Sequence, residues 1–410
     1  MSGQVGIVSP RVVVTGLGVI ASIGGGVDEF EKNLYEGISG IGPSPLLTPA
    51  LGEGAVAAEI RNFNPQTWLG NKGIRVLDRA ARLLSVATHM TLTATGLMQI
   101  DEGDPDLGMV CGTMFGSVHS ITSFDWSGVT DGPNYVNPME FPNTVINSAA
   151  GQAAIKFKLR GVNSTISAGL VSSLYAIHYA SEFLRFGRAN ALLAGGVEEL
   201  CDESSFSFRK VGLISARGCA TPFAANRDGT VLGEGSALMM LETLERAEAR
   251  GAAPLLEIAG FGAAHDAHDV TAFNVRGEGA TAAIKEALQS ASIGPEAIAC
   301  IIAGANGSRA GDQMELHALR NVFGTRLGEI PIAAPKAAFG ESLGASGALC
   351  ALSAGLALRK QLLPPTAGFA GGDGELRLSA QPQTLAGEYA LVNCFGCDGN
   401  NAALVLKLIS

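Results

Sequence analysis

Short apolar runs alternate with longer amphipathic stretches along most of this chain. The runs at residues 11–15, 108–112 and 191–194 have the length and composition of buried strands. Residues 77–97 repeat Ala, Leu and Met at helical spacing and predict a long helix. This alternation of strand and helix patterns predicts an α/β fold in which helices cover buried strands.

The pattern is organised around residues 163–199. They predict a short strand at 164–167, a sharp turn at Ala168-Gly169, a long apolar-periodic helix and a further buried strand. A helix that starts directly after such a turn presents free N–H groups and a partial positive charge, which would stabilise a thiolate nucleophile. The residue in that position is Leu170, whose side chain has no nucleophilic atom.

The second half of the chain repeats this order of elements. A strand at 254–259 is followed by a helix, a strand, a helix and a strand, at residues 280–290, 299–303, 312–323 and 331–334. Residues 334–360 then run from a turn rich in Gly and Ser into a long helix of small residues, as residues 167–185 do. The repeat predicts an internal duplication with parallel buried strands covered on both faces, divided into residues 1–253 and 254–410.

Two surface features predict a partner chain. The connection at residues 113–141 is predicted to be irregular and yet carries many large apolar side chains, so it packs against its own core or against another subunit. The strand at 162–167 is rich in β-branched residues and has little nearby sequence to cover its edge. An unpaired edge strand is an aggregation hazard, so we predict an obligate dimer that buries more than about 2,000 Å².

Two short motifs are better explained by structure than by chemistry. Gly16-x-Gly18-x-x-Ala21 matches a dinucleotide-binding pattern, but the glycine-rich loop continues where a helix should begin on the phosphate. We therefore interpret it as a tight turn. Cys394-x-x-Cys397 has no second CxxC and no nearby His to complete a zinc site.

Other candidate side chains also favour structural roles. His178 follows Ser172 by six positions and lies on a different side of the same predicted helix, so a Ser–His pair cannot form there. Residues 265–269, His-Asp-Ala-His-Asp, contain metal-ligand residue types but favour a hydrogen-bonded loop over a metal site. Four cations are predicted to line one solvent-exposed helix face: Lys72, Arg75, Arg79 and Arg82. A binding site for an acidic partner is the less favoured alternative.

The composition fits a globular protein, with 47% hydrophobic residues, 16% charged residues and 54 glycines in 410 residues. A net charge of −10 argues against nucleic acid and anionic membranes as partners. Residues 342–358 predict a buried core helix because Ser and Gly occur throughout the run. Seven scattered Cys and no signal-peptide pattern in residues 1–10 predict a cytoplasmic protein, and we expect no metal or other cofactor.

A series of motifs runs in order from one end of the chain to the other. They are residues 12–18 (VVVTGLG), 141–143 (FPN), 147–151 (NSAAG), 227–235 (RDGTVLGEG), Lys336 with Gly340 and Gly344, and 393–396 (NCFG). Together they resemble the β-ketoacyl synthases, the condensing enzymes of fatty-acid and polyketide assembly. The resemblance covers essentially the whole chain and implies a thiolase-like fold, in which duplicated βαβαβ halves form five αβαβα layers.

The resemblance also implies where the catalytic residues would lie. In that family a Cys carries the acyl chain, and two His polarise the malonyl carbonyl and hold the enolate oxygen. Those positions are occupied here by Leu170, Asn306 and Glu341. Leu cannot form a thioester, Asn cannot titrate, and Glu would repel malonate and its enolate, so no catalytic residue is expected.

Four residues are expected to remain as a scaffold of the lost site: Lys336, Glu315, Phe395 and Cys397. We interpret Lys336 and Glu315 as a buried ion pair that holds the loops together. Cys397 stands where the family has a gating Phe in a Gly-Phe-Gly-Gly loop, and Asp398 replaces the first of the paired glycines.

A chain that keeps the scaffold but loses these residues is most similar to the chain-length factors of type II polyketide synthases. The resemblance implies a subunit that is inactive alone, pairs with an active ketosynthase and its acyl carrier protein, and shapes the acyl tunnel in aromatic or polyene biosynthesis. Most chain-length factors have Gln at the position of Leu170. Two alternatives stay open: an active synthase or acyltransferase with an unorthodox site, and a homodimeric pseudoenzyme that binds acyl carriers.

The tunnel would be shaped by side chains in the apolar connection and on the edge strand. The candidates for the tunnel or the interface are Phe115, Ile121, Phe124, Met139, Phe141 and Thr165. For each of them, packing within the chain's own core is the alternative.

Overall fold

The computed structural model describes residues 10–98, 103–372 and 374–409. The prediction about a signal peptide concerns residues 1–10, of which all but Pro10 lie outside this range. The helices and strands up to residue 249 are β1 (Val12–Ala21), β2 (Gly24–Gly25), α1 (Val27–Tyr35), β3 (Gly42–Pro43), α2 (Thr48–Leu51), β4 (Val56–Ala57), α3 (Gln66–Leu69), α4 (Arg79–Thr95), β5 (Leu107–Gly112), α5 (Val118–Thr130), α6 (Ser148–Phe157), β6 (Asn163–Ile166), α7 (Ser172–Arg185), β7 (Ala191–Glu198), α8 (Asp202–Lys210), β8 (Gly235–Thr243) and α9 (Leu244–Ala249).

The rest of the chain contains β9 (Leu256–His265), α10 (Glu278–Ser290), β10 (Ile298–Ile302), α11 (Arg309–Phe323), β11 (Pro331–Ala333), α12 (Lys336–Phe339), α13 (Ser346–Lys360), β12 (Leu362–Leu363), β13 (Arg377–Leu378), β14 (Gln383–Thr384), β15 (Tyr389–Phe395) and β16 (Asn400–Leu408). Short 3-10 helices occupy Phe141–Thr144, Pro295–Ala297, Gly324–Glu329 and Leu343–Ala345.

The main strands follow one path in the order β13-β11-β10-β15-β16-β9-β1-β8-β7-β5-β6. The two halves meet where β1 runs antiparallel to β9 over two residue pairs, Val13 with Glu257 and Val14 with Leu256. The outer pairs such as β5/β6 and β10/β11 are parallel, whereas β1/β8, β7/β8 and β15/β16 are antiparallel. The prediction of parallel strands is therefore wrong for these central pairs. For β15 and β16 the reason is the tight turn at residues 396–399, which can join only antiparallel neighbours.

Helices α7 and α13 form the middle layer of the molecule. Both contact strands of the first half, such as β7 and β8, and strands of the second, such as β16. Every residue of α13 from Ser346 to Leu358 is buried, which confirms the predicted core helix. Helices α4 and α6 cover the outer face of the first half, and α10 and α11 cover that of the second. The five layers of the predicted thiolase-like fold are therefore confirmed.

The glycines of the dinucleotide-like motif lie inside a strand. β1 continues through Gly16 and Gly18, which pair with Met240 and Leu238 of β8. A Cβ atom on Gly18 would lie 2.4 Å from the carbonyl oxygen of Ala87 in α4. The predicted tight turn follows the motif, at residues 22–23, where β1 turns back to pair with β2. Gly16 and Gly18 themselves lie in the strand and let helix α4 approach it closely.

Helix α4 begins at Arg79, after the first two of the four cations that were predicted to line it. The carboxylate of Asp78 accepts a hydrogen bond from the N–H of Ala81 at 2.9 Å and caps the helix. Lys72 and Arg75 thus precede the helix, and Arg79 forms an ion pair with the buried Glu234 at 2.5 Å. The predicted solvated row of four cations on one helix face is therefore wrong.

The apolar connection after β5 forms an arm on the surface. We use the term arm for residues 113–147. The prediction that its first part is irregular is wrong, because residues 118–130 form α5, yet no residue of α5 is buried. Packing within the arm includes the rings of Phe124 and Phe141, whose centroids lie 5.9 Å apart. Several large apolar side chains of the arm are exposed: Trp126, Val129, Tyr135, Met139 and Phe141.

Candidate functional site

The turn between β6 and α7 places Leu170 at the centre of the chain's candidate site. Gly169 adopts a left-handed conformation, with φ +63°. The hydroxyl of Ser172 donates to the carbonyl oxygen of Gly169 at 2.6 Å and accepts from the N–H of Ala168 at 2.9 Å. Ser172 therefore holds the sharp turn that the sequence predicted, and its hydroxyl is used within the backbone.

Leu170 is a packed core residue with 2% of its surface exposed. Its carbonyl oxygen accepts a hydrogen bond from the thiol of Cys394 at 3.1 Å. The partly buried Met114 and Phe115, at the start of the arm, pack against the same apolar cluster. The other buried members of this cluster are Leu47, Ala55, Ala57, Leu200, Phe208, Leu232 and Leu343.

Asn306 and Glu341, which the resemblance predicts to occupy the two catalytic His positions, are in direct contact. The side-chain amide of Asn306 donates to Oε2 of Glu341 at 2.7 Å. The same oxygen accepts from Nζ of Lys336 at 2.8 Å, and Oε1 accepts from the hydroxyl of Ser346 at 2.5 Å. All four side chains are buried. We call these four residues the buried polar network, and within it both oxygens of Glu341 already have hydrogen-bond donors.

Lys336 is charged in this setting. Burial lowers the pKa of Lys336, but the adjacent Glu341 carboxylate outweighs that effect and raises the pKa above its ordinary value. Lys336 forms its ion pair with Glu341 and not with Glu315, so the predicted pairing is wrong. The physical reason is that residues 336–341 form one compact turn, with the N–H of Gly340 bonded to the carbonyl oxygen of Lys336.

Glu315 has different partners. Its Oε1 accepts from the side-chain amide of Asn393 at 2.8 Å and from the N–H of Gly304 at 3.1 Å. Burial raises the pKa of Glu315 to about 7, although the hydrogen bond from Asn393 opposes the change. A cavity of only about 10 Å³ lies between Glu315, Asn306 and Phe395. It has room for about one water molecule and none for an acyl chain.

The loop after β15 closes over the turn at Gly169. Phe395 and Cys397 are both buried. The carboxylate of Asp398 lies so close to Gly169 that a Cβ atom on this glycine would be 1.9 Å from Oδ2. Asp398 also accepts a hydrogen bond from the side-chain amide of Asn400 at 2.9 Å. The contact between Asp398 and Gly169 could not be predicted from the sequence, because it joins segments about 230 residues apart in the chain.

The tunnel and interface candidates lie in different surroundings. Phe115 packs beside Leu170, Ile121 and Phe124 are half-buried, and Met139 and Phe141 are 65% and 59% exposed. Thr165 lies on β6, where the backbone pairs with Cys111 of β5. The site geometry thus connects only Phe115 directly to Leu170, while the rest of the set extends along the arm and the sheet edge.

The other candidate side chains have structural contacts. The ring of His178 stacks on Phe261 with centroids 4.2 Å apart. His265 ends β9, and one ring nitrogen lies 3.1 Å from the carbonyl oxygen of Asp398. Within residues 10–98, 103–372 and 374–409, no group of three or more His, Cys, Asp and Glu side chains could hold a metal ion. No helix in these ranges is long and apolar enough to cross a membrane.

Comparison with protein families gives a clear assignment. Residues 9–247 match the model of the β-ketoacyl synthase N-terminal domain, and residues 255–370 match that of the C-terminal domain. The chain belongs to the β-ketoacyl synthase family. It is 31% identical to 3-oxoacyl-(acyl-carrier-protein) synthase 2 of Coxiella burnetii, over 97% of this chain and 99% of that protein. Identity to the enzyme of the same name from Vibrio harveyi is 30%, over 98% and 99% of the two chains.

Solved structures of related chains share the architecture. The ishigamide ketosynthase/chain length factor superposes with a TM-score of 0.91 at 29% identity, over 98% of this chain and 100% of that one. A type II polyketide synthase structure, an acyl-carrier protein in complex with its ketosynthase bound to the hexaketide, has a TM-score of 0.88 at 27% identity and the same coverage. The fold and family are shared with both synthases and chain-length-factor complexes.

Proposed function

We propose that this chain is a non-catalytic chain-length-factor subunit that pairs with an active ketosynthase and shapes its acyl tunnel in type II polyketide or related biosynthesis. The observation that carries the proposal is the buried polar network of Glu341 with Lys336, Asn306 and Ser346, next to a packed Leu170. Side chains that would have to bind substrate are bonded to each other instead.

Decarboxylative condensation needs a nucleophile and enolate-stabilising donors, and this chain has neither in the region considered. Acyl transfer needs a nucleophile, and Leu170 offers only carbon atoms within an apolar cluster. Enolate stabilisation needs hydrogen-bond donors directed at an oxygen anion. The amide of Asn306 instead donates to Glu341, whose carboxylate would repel that anion. The chain therefore keeps the fold of a condensing enzyme but lacks the side chains that carry out the condensation.

Two surfaces support pairing with another subunit. β6 lies at the end of the strand order and pairs only with β5 among the described strands, so its outer edge is open. The arm, which precedes β6 in the chain, displays several large apolar side chains to solvent, including Trp126 and Met139 at 68% and 65% exposure. An open strand edge and a large exposed apolar surface are each typical of an interface with another subunit. The structural relatives include an assembly described as a ketosynthase/chain length factor and a ketosynthase bound to its acyl-carrier protein.

Intact-protein mass spectrometry after incubation with acyl-carrier protein loaded with an acyl chain tests the proposal. We expect no covalent adduct on the isolated chain. Co-expression with a Cys-His-His ketosynthase encoded in a neighbouring reading frame should give a stable complex that extends malonyl units. In the matched control, the catalytic Cys of that partner is replaced by Ala, and we expect the complex to form without turnover.

An active synthase is the second candidate, because the sequence relatives at 30–31% identity are named as synthases. It predicts an acyl adduct on this chain and condensation without a partner. A homodimer that binds the carrier protein without an adduct and without a ketosynthase partner would support the pseudoenzyme alternative. The mass measurement and the co-expression result together distinguish all three functions.

A further inference from the structure

The outer face of helix α7 carries three aromatic side chains that are not covered by the rest of the chain. Tyr179, Phe183 and Phe186 follow one another at spacings of four and three residues, so they lie on one side of the helix. The rings of Tyr179 and Phe183 make an edge-to-face contact with centroids 5.6 Å apart. Tyr179 is 48% exposed, and Phe186, at the C-terminal cap, is 72% exposed. We call these three residues the aromatic row.

The aromatic row lines a surface depression of about 450 Å³. The charges beside it are neutralised within the chain. Oε1 of Glu182 accepts from Nη1 of Arg185 at 2.7 Å, and Nη2 of Arg185 donates to the carbonyl oxygen of Ile258 in β9 at 2.9 Å. A surface of aromatic rings with few free charges is typical of the core of a protein interface. The depression is lined by His178, Tyr179, Glu182, Phe183, Phe186 and Arg188.

The open edge of β6 lies on the same side of the molecule as the aromatic row. The side-chain amide of Asn163 donates to the carbonyl oxygen of Ala150 in α6 at 3.2 Å, so Asn163 points toward α6. Successive side chains of a strand point to opposite faces, so Ser164 and Ile166 point toward α7. Ile166 and Phe183 are both partly buried and pack against the same core cluster. The edge of β6 and the aromatic row are therefore parts of one surface.

A chain that pairs with β6 has to cover the aromatic row as well. β6 ends the strand order and α7 packs on β5, β6 and β7, so an added strand would lie next to α7. An added strand alone would cover only the side of the rings that faces the sheet. A strand that brings its own helix on the same face also removes the outer side of the rings from water, which stabilises the contact. The surface therefore fits a strand–helix unit better than an isolated peptide.

We propose that the edge of β6 and the aromatic row form one docking surface for a second chain of this fold. The partner's strand equivalent to β6 pairs with β6, and its helix equivalent to α7 packs on the aromatic row. Equivalent strands that pair antiparallel are related by a two-fold axis perpendicular to the sheet, so both helices lie on the same face. The inference rests on the proposed function, and it names the elements of the ketosynthase partner that this subunit binds.

The size of the aromatic side chains fits this arrangement. Helix α7 packs mainly on β5 and β7, inside the edge strand β6. From β5 to its counterpart across the two-fold axis there are three strand spacings, about 14 Å. Helices in direct contact lie about 8–10 Å apart. Two helices centred over these strands would leave a gap between them, and large rings such as Tyr179 and Phe186 fill a gap that small side chains could not.

The affinity between full-length chains tests the docking surface. We expect Tyr179→Asp and Phe186→Asp each to raise the Kd of the complex with the ketosynthase from the neighbouring reading frame by about tenfold or more, because a charge is buried without a partner. Phe186→Leu, which keeps an apolar side chain, should weaken the complex much less. Because Tyr179 and Phe186 are exposed in the isolated chain, each variant should keep the wild-type melting temperature.

Val270→Asp is the matched control, since Val270 is 80% exposed in the loop between β9 and α10. It makes the same kind of change away from α7 and should leave the Kd unchanged. A complex whose Kd is unchanged by both Tyr179→Asp and Phe186→Asp overturns the docking surface and leaves the proposed function standing. A hydrophobic dye that binds the wild type but not Phe186→Asp, while the Kd stays unchanged, would also overturn it and assign the depression to a small apolar ligand.

The remaining outcomes separate the docking surface from the proposed function. A wild-type chain that pairs only with a second copy of itself, in a homodimer weakened by the same two variants, supports the docking surface and refutes the ketosynthase pairing. A wild-type chain that associates with neither a ketosynthase nor a second copy overturns the docking surface. Light scattering on the isolated chain and on the mixture with the ketosynthase distinguishes these cases.

Discussion

Nζ of Lys336 lies 2.8 Å from Oε2 of Glu341, and both side chains are completely buried. A buried cation and a buried carboxylate stabilise each other only when both are present, because either charge alone would lack solvation. Asn306 and Ser346 complete the hydrogen bonds of Glu341. The pair therefore forms part of the structural core in the region where the resemblance predicts the family's catalytic residues.

Removing one partner of this ion pair should destabilise the protein strongly. We expect Glu341→Gln to lower the free energy of unfolding by about 3–5 kcal/mol, because Lys336 is left as an uncompensated buried charge. Urea denaturation measures the change. Adding Lys336→Met to Glu341→Gln should recover most of the loss, since no buried charge remains.

The exposed ion pair of Lys360 with Glu31, at 3.1 Å, is the matched control for this experiment. Glu31→Gln should change the free energy of unfolding by less than about 1 kcal/mol. Equal effects of Glu31→Gln and Glu341→Gln would contradict the role assigned to the buried pair.

Restoring the nucleophile should not restore synthesis. We expect Leu170→Cys to give at most a thiol that can be acylated, because no His pair is present to stabilise the enolate, a deficit of about 3–4 kcal/mol or more in transition-state binding. Intact mass reports acylation, and product analysis with malonyl carrier protein reports condensation. Leu170→Ala is the control without a thiol, and malonyl-dependent extension by Leu170→Cys alone would refute the reasoning.

The open edge of β6 gives a test of the dimer. The carbonyl oxygens of Val162 and Ile166 accept bonds from β5, so in this parallel pair the N–H of Thr165 points outward. Thr165→Pro should abolish dimer formation and leave the fold intact, because proline removes an N–H that β5 does not use. Thr165→Val keeps the N–H and should remain dimeric. Light scattering gives the mass, and a Thr165→Pro chain that still dimerises would show that this edge is not in the interface.

Truncating arm residues tests the tunnel. If they close the far end of the partner's tunnel, removing a large side chain opens volume while the chemistry on the other chain continues. We expect longer products with turnover retained from Ala variants of one or more of these residues: Phe115, Ile121, Phe124, Met139 and Phe141. Product length and dimer yield are measured for each variant in the complex.

Leu84→Ala is the control for the tunnel experiment, since Leu84 is a fully buried core residue of α4. It should lower stability by about 2–5 kcal/mol without changing product length. An active, stable complex with unchanged product length for all five arm variants would refute the tunnel role.

The sequence by itself determined the repeated α/β pattern, the sharp turn before α7 and the buried helix α13. These are local properties: a turn at Gly169 needs a residue that tolerates positive φ, and a small-residue helix such as α13 packs on both sides. Leu170 is incompatible with nucleophilic chemistry whatever surrounds it.

Only the tertiary structure decided which groups meet. Gly16 and Gly18 resemble a turn locally, but pairing with β8 keeps them in a strand. Helix α5 buries no residue, so its sequence lacks the apolar period that would predict it. The partner of Lys336 is Glu341 and not Glu315, and Asp398 lies on Gly169 although the two are far apart in sequence. Contacts of this kind depend on how separate segments approach one another, which local propensity does not specify.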